Sequence, residues 1–296
     1  MLARAALLLP ALAAFASAQS IPATASATDL ELINAQYDNS GLDDQGNAGF
    51  GVDLEAQAVL SVVYPSFGLV QNGNAYTADQ VADAPEIFVT PSNSTAAWFN
   101  ETSRYTLMLA DASSLGDPDT RGNYRHFLAN GLTGAAASGA NLTFEPVDGT
   151  VITEYTAPGP IAGTGPHRYA FLLFDQPSSF QAPSNLSSPG VSAAPWYVSD
   201  YVAQTGIRLV AASFFTVQNG DPTGSVASTE AVNTATLAAS SAASSGSPSG
   251  SQTSTSSAPS GSSSTGGGSN AAGKSVVSVA AGLVGLVGLV GVAAML

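Results

Sequence analysis

The chain has no cysteine, a single lysine and only two histidines in 296 residues. Without cysteine there is no disulfide framework, so the folded part must draw its stability from a buried core. Basic residues are nearly as scarce. Arg4 and Lys274 lie in the two end segments, and between them five arginines face 21 acidic residues, a net charge of −16. Such a balance excludes a nucleic-acid binder and is repelled by anionic lipid surfaces at long range; by itself it speaks to solubility rather than function. Two catalytic signatures are missing as well. There is no HExxH run for a zinc protease and no GxSxG elbow for a serine hydrolase.

What is present begins with two processing segments. Residues 1–18, "MLARAALLLPALAAFASA", place one arginine before an apolar run and end in Ala16-Ser17-Ala18, the layout of a secretory signal peptide. Residues 226–270 are mostly Ser, Ala, Gly and Thr, with too little apolar surface to offset ordering entropy, and read as a disordered, O-glycosylated stalk. Residues 271–296 end in 22 uncharged residues with no basic flank after them. Small residues just ahead, with Asn270 as the candidate attachment point, suit a GPI signal; the alternative is a single-pass anchor. The sequons at Asn93, Asn100, Asn141 and Asn185 fit the same route. The expectation is an exported glycoprotein, GPI-anchored to a plasma membrane or cell wall, of fungal type by composition.

Between these ends, residues 28–225 are long enough for one core. "AVLSVVYPSF", "APEIFVTP", "SRYTLMLAD", "YRHFLANGL", "GTVITEYT", "HRYAFLLFDQ" and "RLVAASFFTVQNG" read as strands, with "YRHFLANGL" stopping at Asn130-Gly131. "APWYVSDYVAQTGI" holds one short helix, with Ser199-Asp200 near its start and Gly206 near its end. Strands follow strands without crossover helices, which predicts a mainly β domain rather than a parallel α/β one.

The residues able to carry chemistry gather at strand ends. Asp111 closes "YTLMLAD", His126 follows a loop, and His167 and Tyr169 come after "APGPIAGTGP". Asp111, His126, His167 and Tyr169 are the candidates for one small anion pocket. Imidazole N–H groups bond phosphate oxygens, a carboxylate set behind one histidine favours its charged form, and loop glycines let backbone N–H groups approach. The plain alternatives stay open: a strand-end aspartate also caps nearby amides, and either histidine can be a packed core residue.

These same segments resemble the phosphatidylethanolamine-binding protein family. "YTLMLADAS…DPDTRGNYRHFLANGL" is similar to its first signature and "YTAPGPIAGTGPHRYAFLLFDQP" to its second and more specific one; the likeness runs from about Val59 to Asn219. It implies a central antiparallel sheet packed with a smaller sheet, few short helices and a small anion pocket at one end. Residue by residue it adds Gly159 and Pro160 to Asp111, His126, His167 and Tyr169 as ligand-binding positions. Where the family has "DPDAP" this chain has "DASSL", so Ala112, Ser113 and Leu115 replace two prolines and an acid. Ile161 stands for a second loop proline, Tyr124 for tryptophan, and Arg125 where a histidine can occur. These changes touch the pocket rim.

The reading that follows is a non-enzymatic binding protein, with no cofactor, metal or catalytic residue assigned. Its partners are a small anion or phospholipid headgroup, and, from the resemblance, a protease such as a secreted serine carboxypeptidase. The alternatives are a structural surface glycoprotein with an idle pocket and, less favoured, a hydrolase using Asp111, His126 and His167 with or without a metal.

Overall fold

The computed structural model describes residues 20–93, 96–100, 102–117, 122–134, 146–225, 227–229 and 231–232. The segments read as a signal peptide and as a C-terminal attachment signal, most of that read as a stalk, Asn141 and Asn270 lie outside them. Asn93, Asn100 and Asn185 are exposed.

Helix α1 (Ala27–Asn39) opens the fold and is followed by strands β1 (Ala58–Tyr64), β2 (Gly68–Leu69), β3 (Ala75–Tyr76), β4 (Glu86–Pro91), β5 (Tyr105–Asp111) and β6 (Asn123–Gly134). Then come β7 (Pro146–Val147), β8 (Thr150–Thr153), β9 (His167–Asp175), β10 (Ala194–Trp196), helix α2 (Val198–Thr205) and β11 (Arg208–Val217). The mainly β architecture expected from the sequence is what the chain adopts. The large sheet runs β10-β6-β5-β9-β11-β3, with β7 and β8 paired to β6; β2-β1-β4 form the small sheet.

Both faces of the large sheet are covered, which explains the unbroken apolar runs of β5 and β9. On one face Leu107, Leu109, Phe171 and Leu173 pack with Leu60, Val62 and Val89 of the small sheet. On the other, Met108, Ala110, Leu172 and Phe174 pack with Ile33 and Tyr37 of α1 and with Val198 and Tyr201 of α2. Each such side chain contributes roughly 1.5–3 kcal/mol on burial.

Four details depart from the sequence expectation. Strand β6 continues past Asn130-Gly131 to Gly134, held by β7 and β8. The short helix expected near Ser199-Asp200 is α2, ending at Gly206 as read, but an unexpected strand, β10, precedes it, and β3 joins β11 in parallel. Helix α1 was not expected. Only Ile33 and Tyr37 of its 13 residues are buried, so its apolar period is faint; its signal is the Ser26–Asp29 capping box.

The loop after α1 turns back through a close backbone approach. A Cβ at Gly49 would stand 2.3 Å from Gly41 O, 2.7 Å from Asp44 O and 2.8 Å from Leu42 O, all main-chain atoms that cannot swing aside. Gly49→Ala is expected to cost about 1–3 kcal/mol, read as a lower urea midpoint with unchanged slope. A midpoint equal to wild type would show that the loop yields freely.

Candidate functional site

Asp111 ends β5, His167 begins β9 and His126 lies near the start of β6, so antiparallel pairing brings three strand ends to one edge. Asp111 sits directly opposite Tyr169 on β9 and Tyr124 on β6. Between β5 and β6 the register slips: Leu109 pairs with Phe127 but Ala110 with Arg125, leaving His126 as the extra residue of a β-bulge. A bulge re-aims side chains. Here it puts His126 and Phe127 on one face in succession, while Arg125 points to the other.

These residues line one cavity of about 700 Å³. Asp111, His126 and His167 form its inner end, with Ala157, Gly159, Pro160 and Thr164 of the preceding loop beside them. Its outer walls come from Gln45, Gly46, Ala48 and Gly49, from Tyr124 and from Pro195 and Tyr197. The cavity therefore collects Asp111, His126, Gly159, Pro160 and His167. Tyr169 is placed differently from the sequence expectation: fully buried, it forms no part of the lining and lies beneath it. Its ring meets His126 edge-on at 5.3 Å, faces His167 at 6.4 Å and stacks on Phe215 at 5.8 Å. Burial and the nearby Asp111 carboxylate push its phenol well above the ordinary range, against the Gly159 backbone, and among the described residues its hydroxyl has no partner at full hydrogen-bonding geometry. Tyr169 is the neutral floor on which both imidazoles rest.

The two histidines are held in opposite ways. His167 Nδ1 lies 2.9 Å from Asp111 Oδ2 and its Nε2 lies 2.8 Å from Thr164 Oγ1. Both of its ring nitrogens are engaged within the protein. Asp111 Oδ1 in turn accepts a 2.6 Å bond from the Ser113 backbone N–H, so the carboxylate orients the histidine and also caps its own turn. His126 Nδ1 faces the Thr156 carbonyl at 2.8 Å and must donate its proton there. Its Nε2 carries no hydrogen bond among the described residues. Burial lowers the His126 pKa below the ordinary value, an effect that the neighbouring His167 reinforces and the Thr156 carbonyl and Asp111 oppose. At neutral pH its Nε2 is therefore a bare acceptor.

The arginines beside the histidines point away from the cavity, as strand alternation requires. Arg125 donates to Thr153 Oγ1 at 2.8 Å and Ser192 O at 2.9 Å and covers the Trp196 ring at 5.1 Å. Arg168 donates to the carbonyls of Ser40 and Ala112 at 2.7 Å, Gly41 at 3.1 Å and Ser113 at 3.2 Å. Burial pulls its pKa down to about 10, against the pull of Asp111 and Asp117, so it remains charged. It ties the post-Asp111 turn to the N-terminal loop. Ser113, at φ +56°, also donates through Oγ to Asp117. The departure "DASSL" thus folds into a hydrogen-bonded turn of its own.

The outer wall at residues 45–49 was invisible in the sequence, being over 60 positions from Asp111 and outside either motif. Asn123 Nδ2, donating to Gly49 O at 3.1 Å, fastens that loop to β6.

The profile of the phosphatidylethanolamine-binding protein family matches residues 68–215, half of the chain. Among curated proteins, an uncharacterized protein of Saccharomyces cerevisiae is 25% identical over 176 residues, covering 56% of this chain and 84% of that one. The carboxypeptidase Y inhibitor of the same yeast is 23% identical over 185 residues, covering 55% and 84%. Among solved structures, that of carboxypeptidase Y inhibitor complexed with its cognate proteinase superposes with a TM-score of 0.53 at 22% identity. It covers 66% of this chain and 98% of the matched one, a likeness of fold.

Proposed function

Because this chain belongs to the phosphatidylethanolamine-binding protein family, we propose that it is a non-catalytic binding protein whose cavity captures a small oxyanion, phosphate or a phospholipid headgroup. The observation that carries this reading is the convergence of His126, with its Nε2 unengaged, and the Asp111-oriented His167 at the inner end of one cavity. Protonated His126 donates to the anion; His167 joins when the ligand displaces Thr164 from its Nε2. Among the described residues neither histidine sits in a group able to hold a metal ion, and the reading routes nothing through one. The likeness to a carboxypeptidase inhibitor supports a second role, restraint of a secreted serine carboxypeptidase. The terminal segments support export and a GPI-tethered place at the cell surface.

The test is calorimetric titration of the full-length protein with phosphate, phosphoethanolamine and phosphoserine. Saturable binding that His126→Ala abolishes is the expected result. Thr164→Val, which removes the internal competitor for His167 Nε2, should tighten phosphate binding about 3- to 10-fold. Absence of binding at millimolar ligand sinks the anion reading, and unchanged affinity in Thr164→Val removes His167 from it.

A further inference from the structure

We propose that the preferred occupant of the cavity is the C-terminus of a polypeptide, its carboxylate at His126 and its last, apolar side chain against Ile161 and Tyr124. This rests on the anion reading above and names the ligand class.

Charge matching comes first. Among the described lining residues there is no arginine or lysine; the charged ones are Asp111 and Asp117. Asp111 holds His167 Nδ1 at 2.9 Å, and the buried Arg168 behind the wall acts on both carboxylates. The described lining thus offers an incoming anion no permanent cation, and one protonated His126 compensates one negative charge. A carboxylate carries one; a phosphate monoester carries close to two at neutral pH, and the second would add to the carboxylates of a lining that already holds Asp111 and Asp117. Capture of a chain-terminal carboxylate is a recurrent mode of peptide recognition.

Size and the character of the mouth point the same way. A cavity of about 700 Å³ lies in the range that encloses a drug-sized ligand, far beyond a lone oxyanion. Among the described residues, the large apolar side chains left standing in solvent are Tyr124, 38% exposed, and Ile161, 67% exposed. Both line this one cavity, from separate elements. Apolar exposure concentrated at a cavity mouth marks a contact surface. The side-chain amide of Gln45, on the outer wall, has no hydrogen-bond partner among the described residues and is suited to the amide of a penultimate peptide unit.

The experiment compares the free acid and the C-terminal amide of acetyl-Gly-Ala-Leu-Phe, with inorganic phosphate alongside, by calorimetry on the full-length protein near pH 6. The free acid is expected to bind at least about tenfold more tightly than the amide, since the amide offers no charge to the imidazolium. Ile161→Ser should weaken the free acid by about tenfold while leaving phosphate unchanged, because only the peptide reaches the mouth. Equal binding of acid and amide, or phosphate binding without peptide binding, overturns the proposal and leaves the anion reading standing. If neither phosphate nor peptide binds, both fall together.

Discussion

Phosphate affinity, referred to one ionisation state of the ligand, should drop about tenfold for each pH unit above the His126 pKa and level off below it. The sign follows from the hydrogen bonds. His126 Nδ1 spends its proton on the Thr156 carbonyl, so only the imidazolium has a second proton for an anion. Burial holds the folded-state pKa below the ordinary value, and at neutral pH the doubly protonated ring is the minor form. Each unit of pH above that pKa makes it tenfold rarer, and binding carries the cost of the proton taken up. The titratable groups acting on the ring are Asp111, which opposes the depression, and His167, which adds to it. The measurement is a series of titrations from about pH 5 to 8 in buffers of different ionisation enthalpy, which also count the protons absorbed. His126→Ala should remove both the affinity and its pH dependence. A flat profile with strong binding would mean that backbone amides, not His126, hold the anion.

Arg168→Met is expected to destabilise the fold by about 3–5 kcal/mol. Its guanidinium satisfies carbonyls of Ser40, Gly41, Ala112 and Ser113 while almost fully buried. Methionine fills the volume of the stem but leaves the Ser40, Gly41 and Ala112 carbonyls without the guanidinium donor and removes the buried positive charge that acts on Asp111 and Asp117. Arg168→Lys should recover only part of the loss, because a point ammonium cannot span acceptors from two segments as the planar fork does. Urea unfolding gives the magnitude, and the same variants titrated with phosphate test the coupling to the site. The turn at Ala112–Ser114 that supports Asp111 is tied down by this residue, so affinity should fall in step with stability. Unchanged stability in Arg168→Met would show that water replaces the guanidinium without cost.

The fold was largely legible because its strands are long, apolar and bounded by turn residues; β5 and β9 announce a sheet covered on both faces. Helix α1 was not, since a helix that buries Ile33 and Tyr37 alone leaves almost no periodic trace. For the site, the sequence by itself determined which chemistry is available. With two histidines and no lysine or cysteine in the folded span, only His126, His167 and a strand-end carboxylate such as Asp111 offer it, and each abuts an apolar strand whose end must meet solvent. Tertiary structure decided what each residue does. The bulge at His126 turns that ring and Phe127 to the same face, a register slip that no local pattern encodes. Tyr169 follows strand alternation to the same side as His167, but packing on Phe215 sinks it below the cavity. Thr164 occupies a histidine nitrogen through a loop contact three residues away. The outer wall at residues 45–49 arrives from a distant part of the chain. Residue chemistry and periodicity are properties of neighbours along the chain, whereas orientation, burial and enclosure arise from contacts between segments far apart in it.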